Sequence, residues 1–88
     1  MIKKIIALKD KKSGFTNVFL DINEGTAVRG FGMQCRQETP GQVNVLKEFP
    51  DDYALFCLGE IDMETGKIET FKLPKCIAEA TQYAEKKE

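Results

Sequence analysis

Two stretches of this chain, Ile2 to Lys9 and Tyr53 to Ile61, are apolar at odd and even positions alike. No other feature narrows the fold as much. Side chains of a strand alternate between its faces, so Ile2, Ile6 and Leu8 fall on one side and Ile5 and Ala7 on the other. Tyr53, Leu55, Cys57 and Ile61 alternate in the same way against Ala54, Phe56 and Leu58. Strands of this kind belong in the middle of a sheet, buried on both sides. In a chain of 88 residues with 42% hydrophobic content they leave room for one domain, residues 1–88, around a compact core.

The remaining segments arrange themselves around those two strands. Asp10-Lys11-Lys12-Ser13-Gly14 has turn chemistry, and Phe15 to Leu20 is aromatic and β-branched, which predicts a hairpin with the first strand. Asp21 or Asn23 caps a following helix, with Glu24 at the capping-box position relative to Asp21. Ala27, Val28, Phe31 and Cys35 form its apolar stripe. Gly25, Gly30 and Gly32 weaken that helix and read as points of close approach. Gly30 and Gly32 lie mid-helix without a third glycine, so they form no phosphate loop. Glu38 to Glu48 has no firm period and is expected to be the longest and most mobile loop. Asp62 to Gly66 fits a type I turn with Gly66 left-handed, and Ile68 to Leu73 is a return strand nearer the sheet edge. Pro74 then opens a last helix with a stripe of Cys76, Ile77, Ala80, Tyr83 and Ala84, fraying over Lys86 to Glu88. The expected architecture is α+β: a two-layer sandwich with an antiparallel sheet, element order β-β-α-β-β-α, and both helices on one face.

Several classes of chemistry are excluded. There is no histidine, and Cys35, Cys57 and Cys76 are widely spaced inside apolar patterns. That arrangement suits core packing in a reducing cytosol, with no metal site, cofactor or activated nucleophile. The chain is therefore not expected to be an enzyme. No apolar run approaches the roughly 18–20 residues that span a bilayer. The start, Met1 to Leu8, has too short an apolar run for a signal peptide and reads as a cytoplasmic strand.

Charge is more informative. The formal net charge is −1, but residues 1–36 hold seven cations against three anions, and residues 37–88 hold six against eleven. The lysines either keep a buried strand soluble, or form a basic face for phosphate or one pole of a self-complementary dipole that favours homo-oligomers. Phe15 and Phe19 likewise either pack in the core or stack on bases.

The run Pro50-Asp51-Asp52-Tyr53-Ala54-Leu55-Phe56-Cys57-Leu58-Gly59-Glu60-Ile61-Asp62-Met63-Glu64-Thr65-Gly66 resembles one found in the small non-structural protein of gokushoviruses, single-stranded DNA phages of the microvirus family. Ala27-Val28-Arg29-Gly30-Phe31 resembles that family's first helix. Asp10-Lys11-Lys12 with Phe15 and Phe19 is similar to its turn and phenylalanine pair. The chain departs from the pattern at Val18, where proline is common, and in the loop around Thr39-Pro40-Gly41. The resemblance implies a non-virion accessory protein in the host cytoplasm, binding single-stranded DNA during genome replication or the switch to packaging. An oligomeric adaptor for phage or host replication and assembly proteins, without DNA contact, stays open beside it. On the DNA reading, Lys3, Lys4, Lys9, Lys11 and Lys12 hold phosphates, Arg29 and Arg36 contribute if the helix lies beside them, and Phe15 and Phe19 stack. Most residues of the long run have a fold duty: Gly59 marks a bulge or close approach, and Gly66 a turn. Arg29, Glu60 and Asp62 have none, unless Arg29 pairs with a carboxylate.

Overall fold

In a computed structural model, described here for residues 1–84, four strands form one antiparallel sheet. Strand β1 spans Ile2–Asp10, β2 Gly14–Asp21, β3 Tyr53–Asp62 and β4 Ile68–Glu79. Their order across the sheet is β2-β1-β3-β4, so the two strands with apolar residues on both faces are the central pair. The β1–β2 and β3–β4 turns lie at opposite ends, since Asp10 pairs with Tyr53 and Ile2 with Asp62.

Helix α1, Glu24–Arg36, is capped by Asn23, whose Oδ1 accepts from the Thr26 amide at 2.7 Å. Asp21 instead accepts from the amide of Ile22. The helix lays Ala27, Phe31 and Cys35 on Ile6, Leu55 and Cys57, and these form the core together with Leu46, Ala78 and Ala80. Gly32 is a point of close approach, because a Cβ there would stand 2.7 Å from the ring of Tyr83.

Three expectations need correction. The segment Glu38 to Glu48 is not all loop: Val45–Glu48 forms a one-turn helix, α2, which buries Leu46. Asn44 ties this turn down. Its Oδ1 accepts from Leu46 N at 3.1 Å, and its Nδ2 donates to the carbonyls of Gln34 and Gln37 at the end of α1. The last helix is absent among the described residues. Instead β4 runs on through Pro74 to Glu79 and ends in one 3-10 turn, Ala80–Tyr83. The element order is therefore β-β-α-α-β-β, apart from short 3-10 turns, and not β-β-α-β-β-α. The physical reason is the ladder: Ala54 and Leu55 pair with Glu79 and Ala78, and a helix there would leave half of β3 without a partner on that side. Pro74 fits because β4 bulges away from β3 between Thr70 and Lys75, where no amide is needed. The fraying expected at Lys86 to Glu88 lies outside the described residues.

The third correction decides the site. The central strands are not buried on both sides. The helical elements all cover one face of the sheet, and no described element covers the other.

Candidate nucleic-acid interface

The open face can be read from the ladder. Directly paired residues of antiparallel strands share a face. Lys9 pairs with Phe15, Ala7 with Val18 and Phe56, and Ile5 with Leu20 and Gly59. A bulge where Leu58 is skipped between Cys57 and Gly59 puts Leu58 and Gly59 on that same side. The face therefore carries Ile5, Ala7, Phe15, Val18, Leu20, Phe56 and Leu58, with Lys3 and Lys9 among them. Val18 is 57% exposed and Phe15 and Leu20 each 43%. Ala7, between Val18 and Phe56 in the ladder, is inaccessible because its larger neighbours close over it.

Toward the β1–β2 turn end of this surface Phe15 and Phe56 meet edge to face, with centroids 5.5 Å apart. Lys9 Nζ lies 5.5 Å from one ring centroid and 5.6 Å from the other. Such a contact combines a cation with two aromatic faces on a water-facing sheet. A register shift between Leu8 and Lys9 makes it possible, since it brings Phe15 opposite Lys9 and onto the same side.

The basic and aromatic residues singled out in the sequence do not form one patch. Lys3 and Lys9 share the open face, six residues apart along β1, or about 20 Å. Lys4 points to the helical side, where its Nζ donates to Glu60 Oε2 at 2.8 Å. This hydrogen bond raises the lysine's pKa. Lys11 donates to Glu79 Oε2 at 2.9 Å, with the same effect. Lys3, Lys9 and Lys12 make no ion pair among the described residues. Arg29 and Arg36 lie exposed on α1, in the opposite layer, and Arg36 sits 5.4 Å from the ring centroid of Tyr83. Phe19 pairs with Ile6 and so faces the helix, lining a groove with Phe31 and Gln34.

Arg29 makes no carboxylate pair among the described residues, and the acidic residues of the long run have other duties. Glu60 holds Lys4. Asp62 Oδ1 accepts from the amide of Glu64 at 2.9 Å, which draws its pKa down. Phe56 is the site residue that its sequence pattern hid. It reads as core in an apolar strand, and only the uncovered face makes it a surface aromatic.

Burial pushes the pKa of the Cys35 thiol up, and burial followed by Glu79 raises that of Cys76. Among the described residues no cluster of three or more metal-ligating side chains occurs, and no helix is long and apolar enough to cross a membrane. A family model described as Phage ORF5 protein matches residues 3–83. No curated protein and no solved structure is significantly similar to the chain.

Proposed function

Since the chain belongs to the Phage ORF5 protein family, we propose that it is a non-enzymatic gokushovirus accessory protein that binds single-stranded DNA on the open face of its sheet. Its place is genome replication or the switch to packaging, in the host cytoplasm. The observation that carries this reading is Lys9 set between Phe15 and Phe56 on an uncovered sheet face. Bases stack on exposed aromatic rings for about 1–3 kcal/mol each and do so with little sequence preference. Lys9 and Lys3 on the face, with Lys12 at its end, supply the phosphate contacts. Lys4 and Lys11 are already engaged by carboxylates, and Arg29, Arg36 and Phe19 face elsewhere, so the interface is smaller than the sequence suggested.

Three phosphate contacts predict a slope of about −2 in log affinity against log salt, at about −0.7 each. With net charge −1, binding is expected in the micromolar range, the usual order for sequence-independent contacts. Fluorescence anisotropy with labelled oligothymidine at two salt concentrations reads both quantities. Phe15→Leu keeps an apolar side chain but removes the stacking ring, and is expected to weaken binding about tenfold with an unchanged salt slope. Lys9→Gln is expected to weaken binding and to flatten the slope by about 0.7. Absence of binding by the unmodified protein at low ionic strength overturns the proposal and favours a protein-binding adaptor working through the same apolar face.

A further inference from the structure

A groove of about 320 Å³ runs between β2 and α1 on the helical side of the sheet, a size that suits one small ring system. The buried Phe31 and Leu55, with Leu8, form its floor. Asn17, Phe19 and Asp21 make the β2 wall; they pair with Leu8, Ile6 and Lys4 and so share that side. Gly30 and Gln34 make the α1 wall. Gly30 is helical, and a Cβ there would meet nothing within 4 Å, so no packing contact requires the glycine. It weakens the helix, and the space its missing side chain leaves open is the groove.

The polar groups of these walls are available to a ligand. The side-chain amides of Asn17 and Gln34 have no hydrogen-bond partner among the described residues. Asp21 Oδ1 accepts from the amide of Ile22, and its Oδ2 has no donor among those residues. The half-exposed ring of Phe19 lies between Asn17 and Asp21, which are about 13 Å apart along β2. That spacing suits a flat ring lying on Phe19 with a hydrogen bond at each end. No described lysine or arginine lines the groove, so a phosphate finds no partner in it and only a base enters. Cytosine matches the walls: its amino group meets Asp21 Oδ2, and its N3 and O2 accept from Gln34 and Asn17. Thymine has the same ring but sets its O4 acceptor against the carboxylate.

We propose that this groove holds one amino-bearing base of the bound strand and gives the protein a preference for cytosine over thymine. The inference rests on the reading of the open face as a platform for single-stranded DNA. Strand β2 connects the two sites. It bulges at Thr16, between the Asn17–Leu8 and Phe15–Lys9 pairs, so Phe15 points to the open face and Asn17 to the groove. No described strand lies along the outer side of β2, and DNA that stacks on Phe15 reaches the groove by passing round this edge.

Fluorescence anisotropy with labelled oligodeoxycytidine and oligothymidine of equal length tests this, with circular dichroism to verify folding. The unmodified protein is expected to bind the cytidine oligomer about tenfold more tightly, the effect of one hydrogen bond to a charged group. Gly30→Leu fills the groove and is expected to bring the ratio of the two affinities to about one, with oligothymidine binding kept within about twofold. Asp21→Asn keeps an oxygen for the Ile22 amide but loses the carboxylate, and is expected to lower the ratio at least about fivefold. The ratio is the readout because removing a negative charge strengthens both complexes. Asp21→Asn leaves α1 and its Asn23 cap intact, so it decides alone if Gly30→Leu does not fold. Equal affinity for the two oligomers, or a preference that survives either substitution in a folded protein, overturns the groove and leaves the open-face reading in place. Absence of binding to both oligomers overturns the two together.

Discussion

Gly59 sits where β3 bulges against β1 and where β4 passes closest, and replacing it with alanine probes both features at once. Its φ is +155°, on the side of the backbone map that side-chain-bearing residues avoid. A Cβ built there would stand 2.1 Å from the carbonyl oxygen of Glu69 and 2.7 Å from Thr70 Cα. Both are backbone atoms of a paired strand, so no side-chain rotation relieves the clash. The strands must move apart by about 1 Å, enough to weaken the ladder around Thr70. Backbone strain costs about 1–3 kcal/mol and overpacking about 1–3 kcal/mol more, giving about 4 kcal/mol for Gly59→Ala. A domain of this size is stable by about 4–13 kcal/mol in total. At about 4–8 °C per kcal/mol, the melting temperature should fall by about 15–30 °C. Thermal unfolding followed by circular dichroism reads this directly. Gly30→Ala is the comparison, because that glycine is helical and has nothing within 4 Å of its added Cβ. It is expected to stabilise by about 0.5–1 kcal/mol. A Gly59→Ala protein that melts within about 3 °C of the unmodified chain refutes the close approach of β3 and β4.

Two further predictions concern side chains that close turns. Asn44→Ala removes the cap of α2 and both donors to the end of α1, and is expected to cost about 1–2 kcal/mol in denaturant unfolding. Asn44→Asp keeps the cap but loses the two donors, so it should fall between the two; equal stability of Asn44→Asp and the unmodified protein contradicts the Gln34 and Gln37 contacts. Asp62 has a pKa drawn down in the folded state, chiefly by the Glu64 amide. Its contribution to stability is therefore present above the unfolded aspartate value of 3.8 and is lost as pH falls through the lower folded value. The stability gap between the unmodified protein and Asp62→Asn should narrow as pH drops below that range, and a gap independent of pH refutes it.

How far the chain could be read without its structure depends on the range of the forces involved. The central strands, the Asp10–Gly14 and Asp62–Gly66 turns, the capped helix at Glu24 and the edge position of the last strand follow from alternation and turn chemistry within a few residues. Gly59 was legible as a close approach because a glycine inside an apolar strand has few other uses. The segment from Pro74 to Ala84 was not legible, because Cys76, Ile77, Ala80 and Tyr83 satisfy a helical stripe as readily as Ala78 and Glu79 satisfy a ladder. The need of β3 for a partner along its first half decided between them. The pairing of Lys4 with Glu60 and of Lys11 with Glu79 joins residues more than fifty positions apart, so nothing local marks those lysines as engaged. The candidate interface is likewise a tertiary product. Apolar residues at both odd and even positions say that each face of β1 and β3 has something to cover, and that much the sequence determines by itself. The register shifts at Lys9 and Gly59, and a single layer of helices, decide which of the two faces stays open. They bring Lys9, Phe15 and Phe56 together there because strand alternation carries a side chain to the opposite face with every one-residue slip.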